Sequence, residues 1–402
     1  VRARLALLGC ALAVPAWAGS RELELGVEEY YYRTAETPLN RDNLLGVERG
    51  ESRLRGTLAW KESVGAARAV LRGFVERSFG AREATSWTAR QAYLQYAWGA
   101  GLQLRVGKQR IAWGSGFAWN PTNRLERPKN PANTSLEQEG TLAARMDWIP
   151  ARWAGVILLA ARSQTGLGDL PFVSPAQERE SAALRARFLA KDTDLALVFS
   201  GGKNQRTLLG FDLGRDLLGR VSAHAEGAFY RGSEIAPPRD GETFFRLATG
   251  LLHTQGTSSL AVEYFFNGEG YDGAHADAYL ARVDATSSAA ADPRLPPAAR
   301  AAALRSYAAL AAIPFSAGLG LRRHYLQVAW TRSRIGGQWT ASLRGVVALS
   351  DGGVALTPGV VYEPRGDLML SLDAIVLLGS ARSEYRLTPL SGALQARAKV
   401  LF

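Results

Sequence analysis

Apolar and polar residues alternate with a period of two along most of this 402-residue chain. Leu184, Ala186 and Phe188 face one way while Arg185 and Arg187 face the other, as the two sides of an extended strand require. Leu54, Leu58 and Trp60 stand likewise against Arg53, Arg55 and Thr57, and Leu142, Ala144, Met146 and Trp148 against Arg145 and Asp147. Leu326, Val328 and Trp330 oppose Arg323, Tyr325 and Gln327. The pattern marks about eighteen strands, from 21–33, 43–60, 67–79, 87–98 and 101–113 onward to 366–379 and 390–402. Even-numbered connections are short, Gly99-Ala100-Gly101 and Lys191-Asp192 among them. Every long connection is odd-numbered: 34–42, 80–86, 113–137, 164–178, 232–240, 268–321 and 380–389. This sorting predicts antiparallel strands with tight turns at one end and long loops at the other.

Hydropathy then says what the sheet encloses. Hydrophobic residues make up 47% of the chain, yet mean hydropathy is only −0.09. Past the first residues no uncharged apolar run approaches the ~18–20 residues of a membrane helix, which excludes helical spans. Spanning strands need only about 9–11 residues with every second one apolar. A secreted sandwich would alternate too, but so long a chain with no obvious second domain suits one large closed sheet. An arginine facing lipid at the bilayer midplane costs about 2–4 kcal/mol, so the charged faces must line a wet lumen. The predicted fold is therefore all-β: a transmembrane antiparallel β-barrel of about eighteen strands, with short periplasmic turns and long extracellular loops.

Tryptophan supports the same topology without using loop length. Trp60, Trp98, Trp148, Trp153, Trp330 and Trp339 fall beside the short turns, where an amphipathic indole suits the membrane interface. Tyr30, Tyr31, Tyr32, Trp87 and Tyr230 fall at the opposite strand ends and are expected to form a second girdle.

The candidate pore-lining residues are Arg53, Arg55, Arg105, Arg145, Arg185, Arg187, Arg323, Arg344, Arg397 and Lys399. Arg72 and Arg246 share the inward pattern; Glu22, Glu24, Glu28, Asp147, Glu226, Glu263 and Asp373 form a smaller acidic set. Basic rings favour anions, although individual arginines could instead pair across strands and brace the wall. The segment 113–137 is a candidate constriction loop, with Trp113, Trp119, Asn120, Arg124, Arg127 and Lys129 as its marked residues. Trp113, Phe117 and Trp119 in a solvated loop would expose an apolar patch, and packing inside the barrel would bury it. Lying flat on the outer surface would bury it as well. Gly107 is expected to allow a bulge or close strand packing, which would account for Lys108 and Arg110 breaking the alternation. The long connection 268–321 contains Pro296-Pro297 followed by an alanine-rich run, predicting a short helix over about 298–311.

The two ends suggest a family. Residues 1–18, VRARLALLGCALAVPAWA, resemble a secretory signal with Arg2 and Arg4, an apolar core and an Ala16-Trp17-Ala18 cleavage site, leaving 19–402 as the barrel. Leu7-Leu8-Gly9-Cys10 offers a lipoprotein-box alternative, and Cys10 is the single cysteine. The last strand, LSGALQARAKVLF, alternates and closes on Phe402. Together these ends resemble the outer-membrane β-barrels of Gram-negative bacteria. That resemblance implies a place in the cell outer membrane, contact with outer-membrane lipid and lipopolysaccharide, and recognition by the barrel assembly machinery. Within 102–131, the run Gly107-Lys108-Gln109-Arg110-Ile111-Ala112-Trp113-Gly114 resembles a strand-to-loop signature of porin-like families. The basic eighteen-stranded plan also resembles the alginate-export family.

Other chemistry is poorly represented. There is no GxxxxGK[ST], HExxH or GxSxG. His224, His253, His275 and His324 lack ligand spacing, so neither enzyme nor metal nor cofactor is expected. The formal charge of +11 is spread through strands rather than gathered in a nucleic-acid-binding tail. Two functions remain: a channel for anionic solutes or for export of an acidic polysaccharide, or a plugged barrel serving as surface-polymer anchor, adhesin or scaffold of a trans-envelope complex.

Overall fold

The computed structural model describes residues 21–47, 51–79, 83–99, 101–126, 128–132, 139–164, 178–233, 235, 241–316 and 320–402. The signal segment, Cys10 and Arg127 lie outside these, as do the side chains of Glu22 and Glu24.

Eighteen antiparallel strands pair each with the next in sequence: β1 (Arg21–Thr34), β2 (Glu51–Val64), β3 (Ala67–Phe79), β4 (Ala84–Trp98), β5 (Leu102–Gln109), β6 (Thr141–Ala151), β7 (Ala154–Gln164), β8 (Glu178–Ala190) and β9 (Thr193–Lys203). The second half comprises β10 (Gln205–Asp216), β11 (Val221–Arg231), β12 (Thr243–Gln255), β13 (Ser258–Asn267), β14 (His324–Ile335), β15 (Trp339–Ala348), β16 (Gly353–Arg365), β17 (Leu368–Leu378) and β18 (Leu390–Leu401). β1 pairs with both β2 and β18, so the sheet closes on itself. Closure leaves no edge with unpaired amides, the condition for strands to cross lipid.

The outward positions carry a continuous apolar surface, including Leu54, Leu94, Val106, Leu158, Phe199, Leu251, Val328 and Leu372. Such an area on a water-soluble protein would drive aggregation; around a closed barrel it is a lipid belt. Trp98, Trp148, Trp153, Trp330 and Trp339 face outward at the end bearing the short turns. The opposite girdle is thinner than expected. Tyr31 and Trp87 face out, but Tyr32 and Tyr230 are buried inward, and Tyr30 shares the face of Tyr32, its ring 5.8 Å away. Strand alternation sends adjacent residues to opposite faces, so a run of three tyrosines cannot all meet lipid.

Several strand limits differ from expectation, two of them for visible reasons. β2 begins at Glu51 rather than 43, because Pro38–Asn43 forms a short 3-10 helix with Asp42 and Asn43 at positive φ. β5 stops at Gln109, where the chain leaves the wall. Gly107 produces no bulge: the register with β4 and β6 is continuous through it. It permits close approach instead, since at φ 124° a Cβ would lie 2.3 Å from the Ala92 carbonyl oxygen. Alternation therefore continues, with Gln109 buried inward and Lys108 on the opposite face, paired with Glu139 at the outer rim.

The long loops build a lid. In place of one short helix, the β13–β14 connection forms α1 (Gly273–Ala291) and α2 (Pro297–Ser316), with Asp272 capping α1 by accepting from the His275 amide at 3.0 Å. Their core of Tyr279, Leu280, Val283, Tyr307 and Leu310 also takes in Leu39, Ile235 and Leu387 from three other outer connections. Tyr307 ties the layers by donating to the Pro38 carbonyl at 3.0 Å and accepting from the Arg41 amide at 2.9 Å. Among the described residues no helix is long and apolar enough to cross a membrane.

Candidate permeation pathway

The chain after Gln109 turns into the barrel instead of outward. Ile111, Trp113 and Leu125 pack on Ala143, Leu159, Ala161, Ala183, Leu208 and Ala228, which lie on the inner faces of β6, β7, β8, β10 and β11. Further along, Trp119 stacks on Phe265, with ring centres 4.9 Å apart and planes within 9°, in a cluster with Ala248, Tyr325, Val346 and Ala348. Trp113 and Trp119 are 2% and 4% exposed. An aromatic side chain buries about 150–250 Å²; at about 25 cal/mol per Å² each ring contributes on the order of 4–6 kcal/mol to holding the loop. Alanine on the wall makes room for them.

Two wall carboxylates fix the backbone of the same loop. Glu263 on β13 accepts from the consecutive amides of Phe117, Ala118 and Trp119, the last two at 2.9 and 3.1 Å. Consecutive amides converging on one anion form a nest. Glu226 on β11 accepts from Gly116 N at 3.3 Å, Thr122 N at 2.8 Å and Thr122 Oγ1 at 2.6 Å. His224 Nε2 lies 2.8 Å from Glu263, and Phe117 meets the imidazole edge-on. Gly114, at φ +86°, is what lets the chain pass: a Cβ there would fall 2.4 Å from Glu226 Oε2. Farther on, Gln327 on β14 donates to the Pro131 carbonyl at 3.2 Å, and Thr357 on β16 to the Ala132 carbonyl at 2.7 Å. These contacts carry the loop along the inner wall from β6 to β16.

The loop is internally tied as well. Glu126 accepts from Arg110 Nε at 2.9 Å and from the Ile111 amide, and Asn120 donates to the Trp113 carbonyl. Lys129 donates to the carbonyls of Gly116 at 2.6 Å and Phe117 at 3.3 Å, and burial lowers its pKa against the pull of Glu226 and Glu263. Arg124 lies over Tyr230 at 5.2 Å; burial, then Arg246 and Arg179, push its pKa down to about 9.

Inward charges crowd the wall from β17 through β1 to β6, and further ones stand on β8, β10 and β15. Arg55 bonds Glu76 and, at 3.1 Å, Glu28; Arg53 sits 3.8 Å from Glu76, and Arg397 4.0 Å from Glu28. Arg55 and Arg90 both stack on Phe74, at 4.3 and 4.6 Å. Arg145 pairs with Asp147 at 2.8 Å, and Arg185 with Asp212 at 3.2 Å. Arg187 pairs with Asp194 near the short-turn end, where both are well exposed. Arg323 sits at the mouth, donating to the Gly270 carbonyl and facing Asp272 at 3.3 Å. Arg344 faces inward on β15, and Lys399 lies opposite Gly26 on β18. One row differs from the rest. Arg68, Gln95, Arg105 and Arg145 are successive register partners across β3, β4, β5 and β6. Arg105 there bonds the neutral amide of Gln95 at 3.1 Å. Sequence reading missed Arg68, because the β3 pattern is blurred by a register shift at Arg72/Gly73. The alternation marks Glu226 and Glu263 as wall charges but not as the groups that hold the loop; the glycines of Trp113-Gly114-Ser115-Gly116 are the available signal.

No family model and no curated protein matches the chain. Solved structures do. The crystal structure of Pseudomonas aeruginosa OccK5 (OpdH) matches with a TM-score of 0.56 at 9% identity, over 96% of this chain and 98% of that one. P. aeruginosa OpdK with vanillate matches at 0.55 and 10%, over 95% and 98%. The outer membrane protein OprD from P. aeruginosa matches at 0.53 and 8%, over 97% and 95%. The fold is thus that of the OprD and Occ outer-membrane porins: a closed antiparallel barrel of eighteen strands. With its apolar belt it belongs to the cell outer membrane. These neighbours lend the alginate-export resemblance no support.

Proposed function

We propose that the protein is a porin-like channel that admits small anionic solutes through the outer membrane, with loop 110–132 narrowing the path. The observation that carries this reading is the row of Arg68, Arg105 and Arg145 near the short-turn end. Arg105 and Arg145 stand directly opposite on adjacent strands, where like charges destabilise the ladder even with Asp147 beside Arg145, and a passing anion relieves that repulsion. Arg53, Arg55, Arg344, Arg397 and Lys399 extend the basic wall. The mutual pairing of Arg55 with Glu28 and Glu76 keeps part of it structural. A lid over the mouth and a loop packed along the inner wall favour a small solute over a polysaccharide. The vanillate in the OpdK crystal structure, an organic anion, is in keeping with that size and sign.

Reversal potentials in planar bilayers test the reading. Arg105→Glu with Arg145→Glu should move the channel from anion toward cation preference while the barrel still shows heat-dependent migration in detergent gels. Unchanged selectivity in a folded double variant would remove the proposal.

A further inference from the structure

The lid and the constriction loop meet at one short helix. α3 (Glu384–Leu387), in the β17–β18 connection, sends Leu387 into the lid core beside Tyr279, Leu280 and Val283. Its Tyr385 packs instead on the cluster that seats the loop, formed by Trp119, Phe265, Tyr325, Val346 and Ala348. A four-residue helix has no stability of its own, so its place is set by what holds it on either side. Thr37 fastens the lid side, donating to the Leu387 carbonyl at 2.9 Å.

A polar network holds the other side. Glu384, 6% exposed, accepts from the Tyr325 hydroxyl at 2.5 Å and from the Leu321 amide at 2.8 Å. The Tyr325 oxygen accepts in turn from the Arg322 amide. Asp351, in the β15–β16 connection, accepts from the Glu384 amide at 2.9 Å and from Arg322 Nε at 2.8 Å. Gly320, at φ +73°, leaves room for the contact, since a Cβ there would fall 2.3 Å from the Tyr325 oxygen. Tyr325 thus has a different partner at each end. Its hydroxyl is held by the lid. Its ring leans on Trp119, with centres 5.9 Å apart, beside Phe265, its register partner on β13. A side chain packed this tightly cannot shift at one end and stay in place at the other.

We propose that Glu384 and Tyr325 are positioning residues of the constriction: their bond locks lid and loop together, and its release by deprotonation of Glu384 frees both. The proposal rests on the channel reading for its consequence, the width of the path, but not for the linkage itself. The groups facing Glu384 are Tyr325 of β14, Arg322 and Asp351 of two outer connections, Tyr385 of its own helix and Tyr279 of α1. Arg322 pairs with Asp351, and among the described residues Glu384 forms no ion pair. An ionised Glu384 therefore stands buried with a second carboxylate close by. Burial raises its pKa to about 7, outweighing the hydrogen bonds from Tyr325 and Leu321. The neutral form keeps the link, and the link weakens as pH climbs from about 4.5 to 7.

The test reads lid and loop separately, by amide exchange of the detergent-solubilised full barrel, and the path by single-channel current in planar bilayers. In the unaltered protein residues 380–390 and 116–122 should quicken together, by about threefold beyond the intrinsic trend, as pH rises through that range. The open-channel current should grow noisier over the same interval. Tyr325→Phe keeps the ring and removes the hydroxyl. The lid should still respond, while loop and current lose their pH dependence. Glu384→Gln should remove the response from all three. Heat-dependent gel migration reports that each variant is folded, and Tyr325→Phe decides the matter alone if Glu384→Gln does not fold. Exchange in which the unaltered loop does not follow the lid, or a full loop response in folded Tyr325→Phe, overturns the link. A pH-independent current from a conducting barrel sinks the link and spares the channel. A shared exchange response in a barrel that conducts no current spares the link and sinks the channel.

Discussion

The inner wall divides into two halves built on opposite principles. From β6 to β16 it is lined largely by alanines and aromatics, with paired charges such as Arg145–Asp147 and Arg185–Asp212 between them, and roofed by a loop that two carboxylates grip through backbone amides. From β17 through β1 to β5 it is lined by guanidiniums, braced where Arg55 meets Glu28 and Glu76. Both halves obey the same strand alternation and share one continuous lipid belt. What differs is how each inward position is satisfied: by a folded segment of the same chain, or by neighbouring charges and water. The difference teaches that one barrel can be a packed core on one side and an electrostatic surface on the other, and on the proposed reading the solute passes along the seam between them.

Removing residues 115–130 attacks this division most directly. It strips the roof from the β6–β16 wall, and single-channel conductance should rise several-fold with the barrel intact. An unchanged conductance would mean the loop never narrowed the path. Loosening the grip is the next largest perturbation. Glu263→Ala withdraws a charged acceptor from three amides at once, and hydrogen bonds to charged groups are worth about 1.5–3 kcal/mol each. The loop should become sensitive to protease and the open-channel current noisy, whereas the same readouts should stay quiet for Arg397→Gln on the opposite wall.

A matched pair of substitutions sharpens the contrast at smaller scale. Ala228→Leu beneath the loop overpacks a fully buried position, at a cost of about 1–3 kcal/mol, and should displace the loop and alter conductance. Gln103→Leu, inward on β5 and partly exposed, should leave conductance within a factor of about two. Equal effects at the two positions would erase the distinction.

The smallest effect concerns the lid, which joins the halves. Glu384, in the four-residue helix α3 (Glu384–Leu387) of the β17–β18 connection, accepts from Tyr325 of β14 and, at 2.8 Å, from the Leu321 amide. Burial, reinforced by Asp351 and opposed by the Tyr325 and Leu321 hydrogen bonds and by Arg322, raises its pKa to about 7 from the ordinary 4.5. A raised carboxyl pKa stabilises the folded contact below the unfolded value and loses that contribution as pH climbs through the folded one. Amide exchange of residues 380–390 should therefore quicken as pH rises from about 4.5 to 7, beyond the intrinsic trend. Glu384→Gln should flatten the excess.

Much of this was legible in the sequence. Strand number, the parity of connection lengths and the outward tryptophans follow from local periodicity, which is why all eighteen strands are present in the expected order, with limits such as those of β2 and β5 displaced. Failures came where an answer depended on a distant residue. Tyr230 reads as an interfacial aromatic until Arg124 and Arg246 are seen against its ring. Lys108 reads as a break in alternation until Glu139 is seen beside it at the rim. The lid helices extend well beyond the span 298–311 because their second partner, the Pro38–Asn43 segment, lies more than two hundred residues away in the chain.

The ties of the inner loop also set an order of events during assembly. Its partners lie far downstream: Glu226 is separated from Thr122 by 104 residues, Glu263 from Ala118 by 145, and Thr357 from Ala132 by 225. Contacts so distant in sequence form late, after the intervening wall exists. A half-built sheet of early strands would carry the loop unsecured, its tryptophans in search of a surface. The seam between β1 and β18 is more distant still, with Glu28 and Gln395 separated by 367 residues, so by the same measure the loop seats on a wall that has yet to close.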